Sequence, residues 1–369
     1  MLHQAGVQQF LWWTVPRKTA EPHWHSLVAG AAAVFDELGL DRYAEIARSD
    51  ITRDVLDAWR DDEEQGRKRF LATYAASGVD APDTALLQWG SVMGLDEAAA
   101  RDTVERALED AIVAGELRPG AKGWRQVAAR VCDATLRAAL DDPGGQTLYT
   151  RITTERVETW ISSARVPAHR RWRDRVGRRL LTPIPPPHDP EPVVAPLRWL
   201  LGHAIDGAEL TQSHCLAWPL VVEAVERFGW WDWDKPPRSE VDVPQLGELR
   251  DAAASLRLIR RKGRRLLATT NGRLLRDDPE ALWRALATKL GGRDDYGKTL
   301  AELIGLRLLD GVAVDDELTT SIAPIVMEQG WRTSDGLVTE RAIDFAIHSR
   351  LYWWRMLGLL QETRAGWEQ

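Results

Sequence analysis

The most concentrated chemistry in this chain is cationic. Arg257, Arg260, Arg261, Lys262, Arg264 and Arg265 fall within nine positions, Arg273 and Arg276 follow, and no Asp or Glu interrupts 257–276. On a hairpin tip this density suits contact with phosphate oxygens, because each neutralised phosphate releases condensed counterions. The competing explanation is a solvated patch that answers the protein's own acids. A second run places Arg170, Arg171 and Arg173 around Trp172, with Arg165, Arg175, Arg178 and Arg179 nearby. Arginines interleaved with tryptophan can hold phosphates and stack on bases. Pairing with the acidic N-terminal portion explains this run equally well.

Other chemistries find less support. Residues 292–299 match the phosphate-loop pattern G-x-x-x-x-G-K-T letter for letter. Such a loop needs a strand before it and a helix after it, and here a helix is expected on both sides. Asp294 and Asp295 would also put negative charge where backbone amides should meet phosphate. Acid pairs at 61–62, 141–142, 277–278, 294–295 and 315–316 abut turns and helix starts, where they read as caps. His23-Trp24-His25 and His214-Cys215 lack a spaced partner pair, so no metal site is expected. No nucleophile elbow is present. The residues thus predict neither an enzyme nor a cofactor. The two cysteines, Cys132 and Cys215, imply no disulfide framework and read as reduced thiols.

Tryptophan is abundant, with 18 in 369 residues, clustered at 12–13, at 230, 231 and 233, and at 353–354. Trp230 and Trp331 occupy equivalent places in a repeat and read as core. Trp231 and Trp233 have no counterpart there and are candidates for a protein-interaction surface.

These residues must be positioned by helices. Residues 1–140 read as a helical domain, with amphipathic helices over 95–114 and 124–140 and Gly115 at a helix C-terminus. A basic helical segment spans 141–181, and a proline-rich linker spans 182–196. Beyond it, Leu200–Gly207 is echoed by Leu303–Gly311, Glu209-Leu210-Thr211 by Glu317-Leu318-Thr319, and VERFGW (225–230) by VMEQGW (326–331). This repetition defines two units, 197–292 and 293–369. In the first, a helix over 219–228 precedes one that begins at Asp242 with Gln245 three positions on, a capping-box pattern. Apolar runs at 258–259 and 266–268 flank a turn near Lys262-Gly263, and a last helix runs over 279–290. Helices followed by a hairpin are the order of a winged helix. The second unit's wing begins Gln361-Glu362-Thr363-Arg364, with little positive charge, and its second strand would fall at 367–369, leaving a truncated wing.

The stretch LRLIRRKGRRLLATTNGRLLRDDPEALWRAL (256–286) resembles the C-terminal part of actinobacterial plasmid open-reading-frame-like proteins, mainly over 196–290. That resemblance implies a winged-helix-like fold and carries no catalytic residues.

The fold class expected is mostly α: an N-terminal helical domain followed by tandem winged-helix-like repeats. The −7 net charge is uneven: residues 141–292 carry 24 Lys and Arg against 20 Asp and Glu, and both flanks are acidic. No apolar run approaches the roughly 20 residues that span a bilayer, and the N-terminus does not read as a secretory signal, so a cytoplasmic location and no membrane partner are expected. The expected partner is DNA, contacted largely independently of sequence. The helix before the basic hairpin offers Gln245, Glu248, Arg250, Asp251 and Ser255, of which only Arg250 and Gln245 suit bidentate base contacts. Its two acids leave open the alternative of a scaffold that binds protein or itself.

Overall fold

The computed structural model describes residues 2–141, 145–181, 189–231, 233–292, 294–314, 316–333, 336–356, 359–363 and 366–368. The protein is mostly α-helical, with short strands confined to small sheets. It divides into two compact units, Met1–Thr159 and Trp160–Gln369.

The first unit holds two apolar cores. One is built by α1 (Gln4–Gln9), α2 (Val15–Lys18), α3 (Trp24–Glu37), α4 (Asp41–Arg48), α5 (Asp50–Asp61) and α6 (Glu63–Ala76), around Leu11, Trp12, Val55, Leu56, Trp59 and Phe70. Ser49 and Asp62 cap α5 and α6 through the amides of Thr52 and Gln65. Between α1 and α2 a π-helical turn covers Phe10–Thr14. Pro16 has no N–H to give the carbonyl of Trp12, four residues earlier. The Trp59 indole donates to that carbonyl instead, at 2.9 Å.

The other core joins α7 (Leu95–Val113), α8 (Trp124–Arg137) and the start of α9 (Leu148–Ser163), around Val104, Leu108, Cys132, Leu136 and Ile152. Gly115 follows α7 with φ +75°, the left-handed conformation its position predicts. No residue at the start of α7 caps it. Glu155 of α9 does so, accepting from the amides of Asp96 and Glu97 at 3.0 and 2.9 Å. The division between the two units falls within α9. Leu148 and Ile152 are buried with α7 and α8, whereas Val166 joins a core of the second unit.

The second unit starts with α10 (Pro167–Leu180). The linker residues 182–188 lie outside the described residues, and α11 (Glu191–Asp206) takes in Pro192 and Pro196. Then come β1 (Ala208–Glu209), α12 (Trp218–Phe228), α13 (Pro244–Ser255), β2 (Ile259–Lys262), β3 (Arg265–Ala268), α14 (Thr270–Arg276) and α15 (Pro279–Leu290). The three strands form one antiparallel sheet in the order β1-β3-β2. Leu200, Leu201, Leu246, Leu249, Leu258, Leu266 and Leu282 fill the core beneath it. The capping box differs from the sequence expectation. Asp242 folds back onto the amides of Arg238 and Ser239, closing a 3-10 turn, and α13 starts afterwards at Pro244.

A second string follows: α16 (Asp295–Leu309), α17 (Asp316–Glu328), a small hairpin of β4 (Arg332–Thr333) and β5 (Gly336–Leu337), α18 (Glu340–Met356), and a hairpin of β6 (Gln361–Thr363) and β7 (Gly366–Glu368). Gly207 and Gly311, and likewise Gly229 and Gly330, end corresponding helices with positive φ. The last hairpin is shorter than the first, three residues per strand against four. Both of its strands pair, the second over Gly366–Glu368.

Candidate nucleic-acid interface

The first hairpin is closed by two residues, Gly263 and Arg264, because Lys262 pairs directly with Arg265. Gly263 has φ +61° at the first turn position, which glycine adopts without strain and which matches the twist of paired strands. Alternation then sorts the side chains. Ile259, Leu266 and Ala268 are buried, while Arg260, Lys262 and Arg265 share the outer face.

All six cations of 257–265 are exposed. Arg264 is tied by its Nε to the Leu210 carbonyl at 3.1 Å. Among the described residues, no carboxylate pairs with Arg257, Arg260, Arg261, Lys262 or Arg265. Lys262 and Arg265 stand directly opposite each other, an arrangement of like charges that destabilises a hairpin. Downstream, Arg273 donates to the Ile205 carbonyl and Arg276 pairs with Asp277. The positive patch is therefore centred on the hairpin.

The helix beside it is arranged otherwise. Arg250 reaches both oxygens of Glu240, at 2.7 and 2.6 Å, and that carboxylate also accepts from the amide of Leu216. Glu240 is only 5% exposed, so the pair is internal. Gln245 is half-buried and lines a cleft of about 440 Å³ with Phe228, Trp230, Tyr352 and Arg355. The positions of α13 open to solvent include Glu248, Asp251 and Ser255. Helix α18 packs on α13. Burial, reinforced by the Glu248 charge, pushes the Tyr352 hydroxyl upward. Arg250 is thus tied up, whereas the Gln245 carboxamide oxygen is buried without a hydrogen-bond partner.

The second arginine run lies on α10, where packing uses much of it. Arg173 is 9% exposed. It donates to both carboxylate oxygens of Glu302 (2.6 and 3.0 Å) and to Ser163, and its guanidinium lies over the Trp160 ring. His169 completes a buried network, bonded to Glu302 at 2.6 Å and to Gln329, which accepts from Trp331. Burial alone would raise the Glu302 carboxyl, but His169 and Arg173 hold it below its usual range. Arg170 donates to the carbonyls of Ser162 and Ala164, Arg175 pairs with Asp310, and Arg179 donates to the Leu309 carbonyl. Arg171 remains exposed on the helix.

Residues 292–299 serve as a helix start; Arg293 lies outside the described residues. Asp294 caps α16, accepting from the Gly297 amide at 2.7 Å, and Lys298 turns to Asp295. The preceding element is helix α15. Asp294 therefore occupies the place that a phosphate takes in a binding loop. The two tryptophans diverge. Trp231 packs on the core beneath the three-stranded sheet and donates to the Lys235 carbonyl at 2.6 Å, whereas Trp233 is 76% exposed. Among the described residues, no cluster of His, Cys, Asp or Glu could hold a metal, and no helix is long and apolar enough to cross a membrane.

The sequence reading misses β1, whose two residues carry no periodic signal, and the Arg250–Glu240 pair. The one available hint of that pair is the absence of other basic residues on α13. No family model, curated protein or solved structure matches this chain.

Proposed function

We propose that the protein binds DNA through the backbone phosphates, using the hairpin β2–β3 as the wing of a winged-helix fold. The chain order helix, strand, helix, helix, hairpin, with the first strand beside the last, supports reading residues 191–268 in this way. The observation that carries the proposal is the set of five exposed hairpin cations with no carboxylate partner among the described residues. Bringing like charges together is unfavourable until counter-charge arrives. A phosphate backbone supplies that counter-charge at regular spacing. With Arg250 held by Glu240 and acids on the open face of α13, base reading contributes little, and binding is largely independent of sequence. This reading places the chain in the cytoplasm, where DNA is accessible to it.

The test is fluorescence anisotropy with two labelled duplexes of unrelated sequence. Both should bind alike, and the variant Arg260→Ala/Arg261→Ala/Arg264→Ala/Arg265→Ala should lose most of the affinity. Equal binding by that variant refutes the proposal. A second reading, a protein-binding scaffold, is favoured by one observation: Trp233 is 76% exposed on a loop tied to the core beneath the three-stranded sheet through Trp231. It predicts a partner or self-association that Trp233→Ala abolishes, while DNA binding stays absent or independent of the hairpin.

A further inference from the structure

The first unit contains a cleft of about 520 Å³ between α1, the α4–α5 junction and the C-terminal end of α6. Gln4, Gln8, Trp12, Arg42, Glu45 and Ile46 are among the residues that line it. Most polar groups around it are matched. The Trp12 indole donates to Thr52, Gln9 donates to the Tyr74 hydroxyl, and the Gln4 carboxamide accepts from Arg42. Gln8 stands apart. The residue is 3% exposed, and its carboxamide oxygen has no hydrogen-bond partner. Arg42 Nε is likewise buried without a hydrogen bond, its nearest acid being Glu109 at 3.8 Å. A buried carboxamide oxygen without a partner is unusual, because buried polar groups are nearly always paired, and Arg42 Nε has only the long ion pair with Glu109.

We propose that this cleft binds a nucleotide, with Gln8 pairing to the edge of the base and Arg42 meeting the phosphate. A carboxamide presents a donor and an acceptor side by side. Its complement is a planar group with an acceptor and a donor side by side, which every nucleobase edge offers. A single trans peptide unit cannot supply this, because its N–H and C=O point in opposite directions. The apolar wall of Trp12 and Ile46 suits a flat ring, and the volume lies within the range of small-molecule sites. A guanidinium is the side chain best shaped to meet phosphate oxygens. The site is independent of the hairpin proposed to bind DNA, so either can fail without the other.

Calorimetric titration of the full-length protein with AMP, GMP, CMP and UMP, each beside its nucleoside, tests the inference. At least one nucleotide should bind with sub-millimolar affinity, more tightly than its nucleoside. Gln8→Met preserves side-chain length and removes the polar end. It should weaken binding at least tenfold, the effect of one or two lost hydrogen bonds, while the free protein melts no lower than wild type. Arg42→Gln should narrow the gap between nucleotide and nucleoside. Ala76→Trp, at the exposed rim of the cleft, should block binding without touching the core. Absence of binding by all four nucleotides at millimolar concentration overturns the proposal. So does undiminished binding by both Gln8→Met and Ala76→Trp, or binding of nicotinamide in place of every nucleotide, which would reassign the cleft to primary amides.

Discussion

The salt dependence of DNA binding discriminates most sharply, because the structure fixes how many cations are free to meet phosphate. Arg257, Arg260, Arg261, Lys262 and Arg265 have no carboxylate partner among the described residues, whereas Arg264 is anchored to the Leu210 carbonyl. If each of the five neutralises one phosphate, log K falls against log salt with a slope of about −4.5. A rise from 50 to 200 mM salt then weakens binding by roughly 500-fold. Replacing Arg260, Arg261, Arg264 and Arg265 by alanine leaves Arg257 and Lys262, and a slope of about −1.8. The same salt rise should weaken the variant by only roughly 12-fold, and the two lines should converge toward about 1 M salt. Anisotropy titrations at four salt concentrations measure both slopes. An unchanged slope in the variant would place the phosphate contacts elsewhere and refute the reasoning, even if affinity fell.

Other consequences concern stability and access. Arg173→Met strands the Glu302 carboxylate beside His169 and should destabilise the fold by about 3–5 kcal/mol in urea unfolding, as losing one partner of a buried pair does. Because the Glu302 carboxyl is held low in the folded state, its contribution is present above the ordinary carboxylate range and is lost as pH falls through its folded pKa. Melting of Glu302→Gln should therefore be flatter with pH on the acid side than melting of wild type. In Gly66→Ala the new Cβ would lie 2.3 Å from the Trp59 ring and 2.7 Å from its Cα. Residue 62 alone separates α5 from α6 and leaves no slack, so a loss of about 2–3 kcal/mol is expected; a change within 0.5 kcal/mol would contradict the packing. Burial pushes the Cys132 thiol up to about 12, so a thiol reagent at pH 8 should label Cys215 alone in the native protein and both cysteines after denaturation.

What was legible in the sequence followed physical range. The helices over 95–113 and 124–137 were readable because their apolar residues recur at helical spacing and Gly115 marks a stop. The basic hairpin was readable because apolar pairs flank a glycine that alone takes the turn's positive φ cheaply. Helix α14 was not, although Thr269 caps it through the Gly272 amide, because seven residues show too little periodicity. The start of α11 was hidden by prolines that mimic a linker, although Pro192 is tolerated in the first turn and Pro196 sits inside the helix. The fate of the arginines was the least legible part. Arg173 and Arg171 are two positions apart in one basic run, yet one is buried on Glu302 and the other exposed. Their difference comes from which face of α10 meets α16, a tertiary fact that no local pattern contains.

The same logic accounts for why the two halves of the second unit should differ in function. Helix α18 has 17 residues against 12 in α13, and it packs on α13 while Trp353 reaches the core beneath the three-stranded sheet. A helix that reads DNA bases needs its outer face free and rich in donors. Here α13 has a neighbour on it, its one arginine is held by Glu240, and Glu248 and Asp251 are among its open positions. The hairpin beyond it keeps five cations free among the described residues. On the proposed reading, packing α18 against α13 covers the helix that would confer sequence preference and leaves the hairpin to meet phosphate. Duplexes of equal length and different sequence should then compete within about threefold of one another, far below the discrimination of 10³ or more expected of a specific site. A preference of that larger size would mean that α18 leaves α13 on binding, and the packing of the two helices would then be the step that controls recognition.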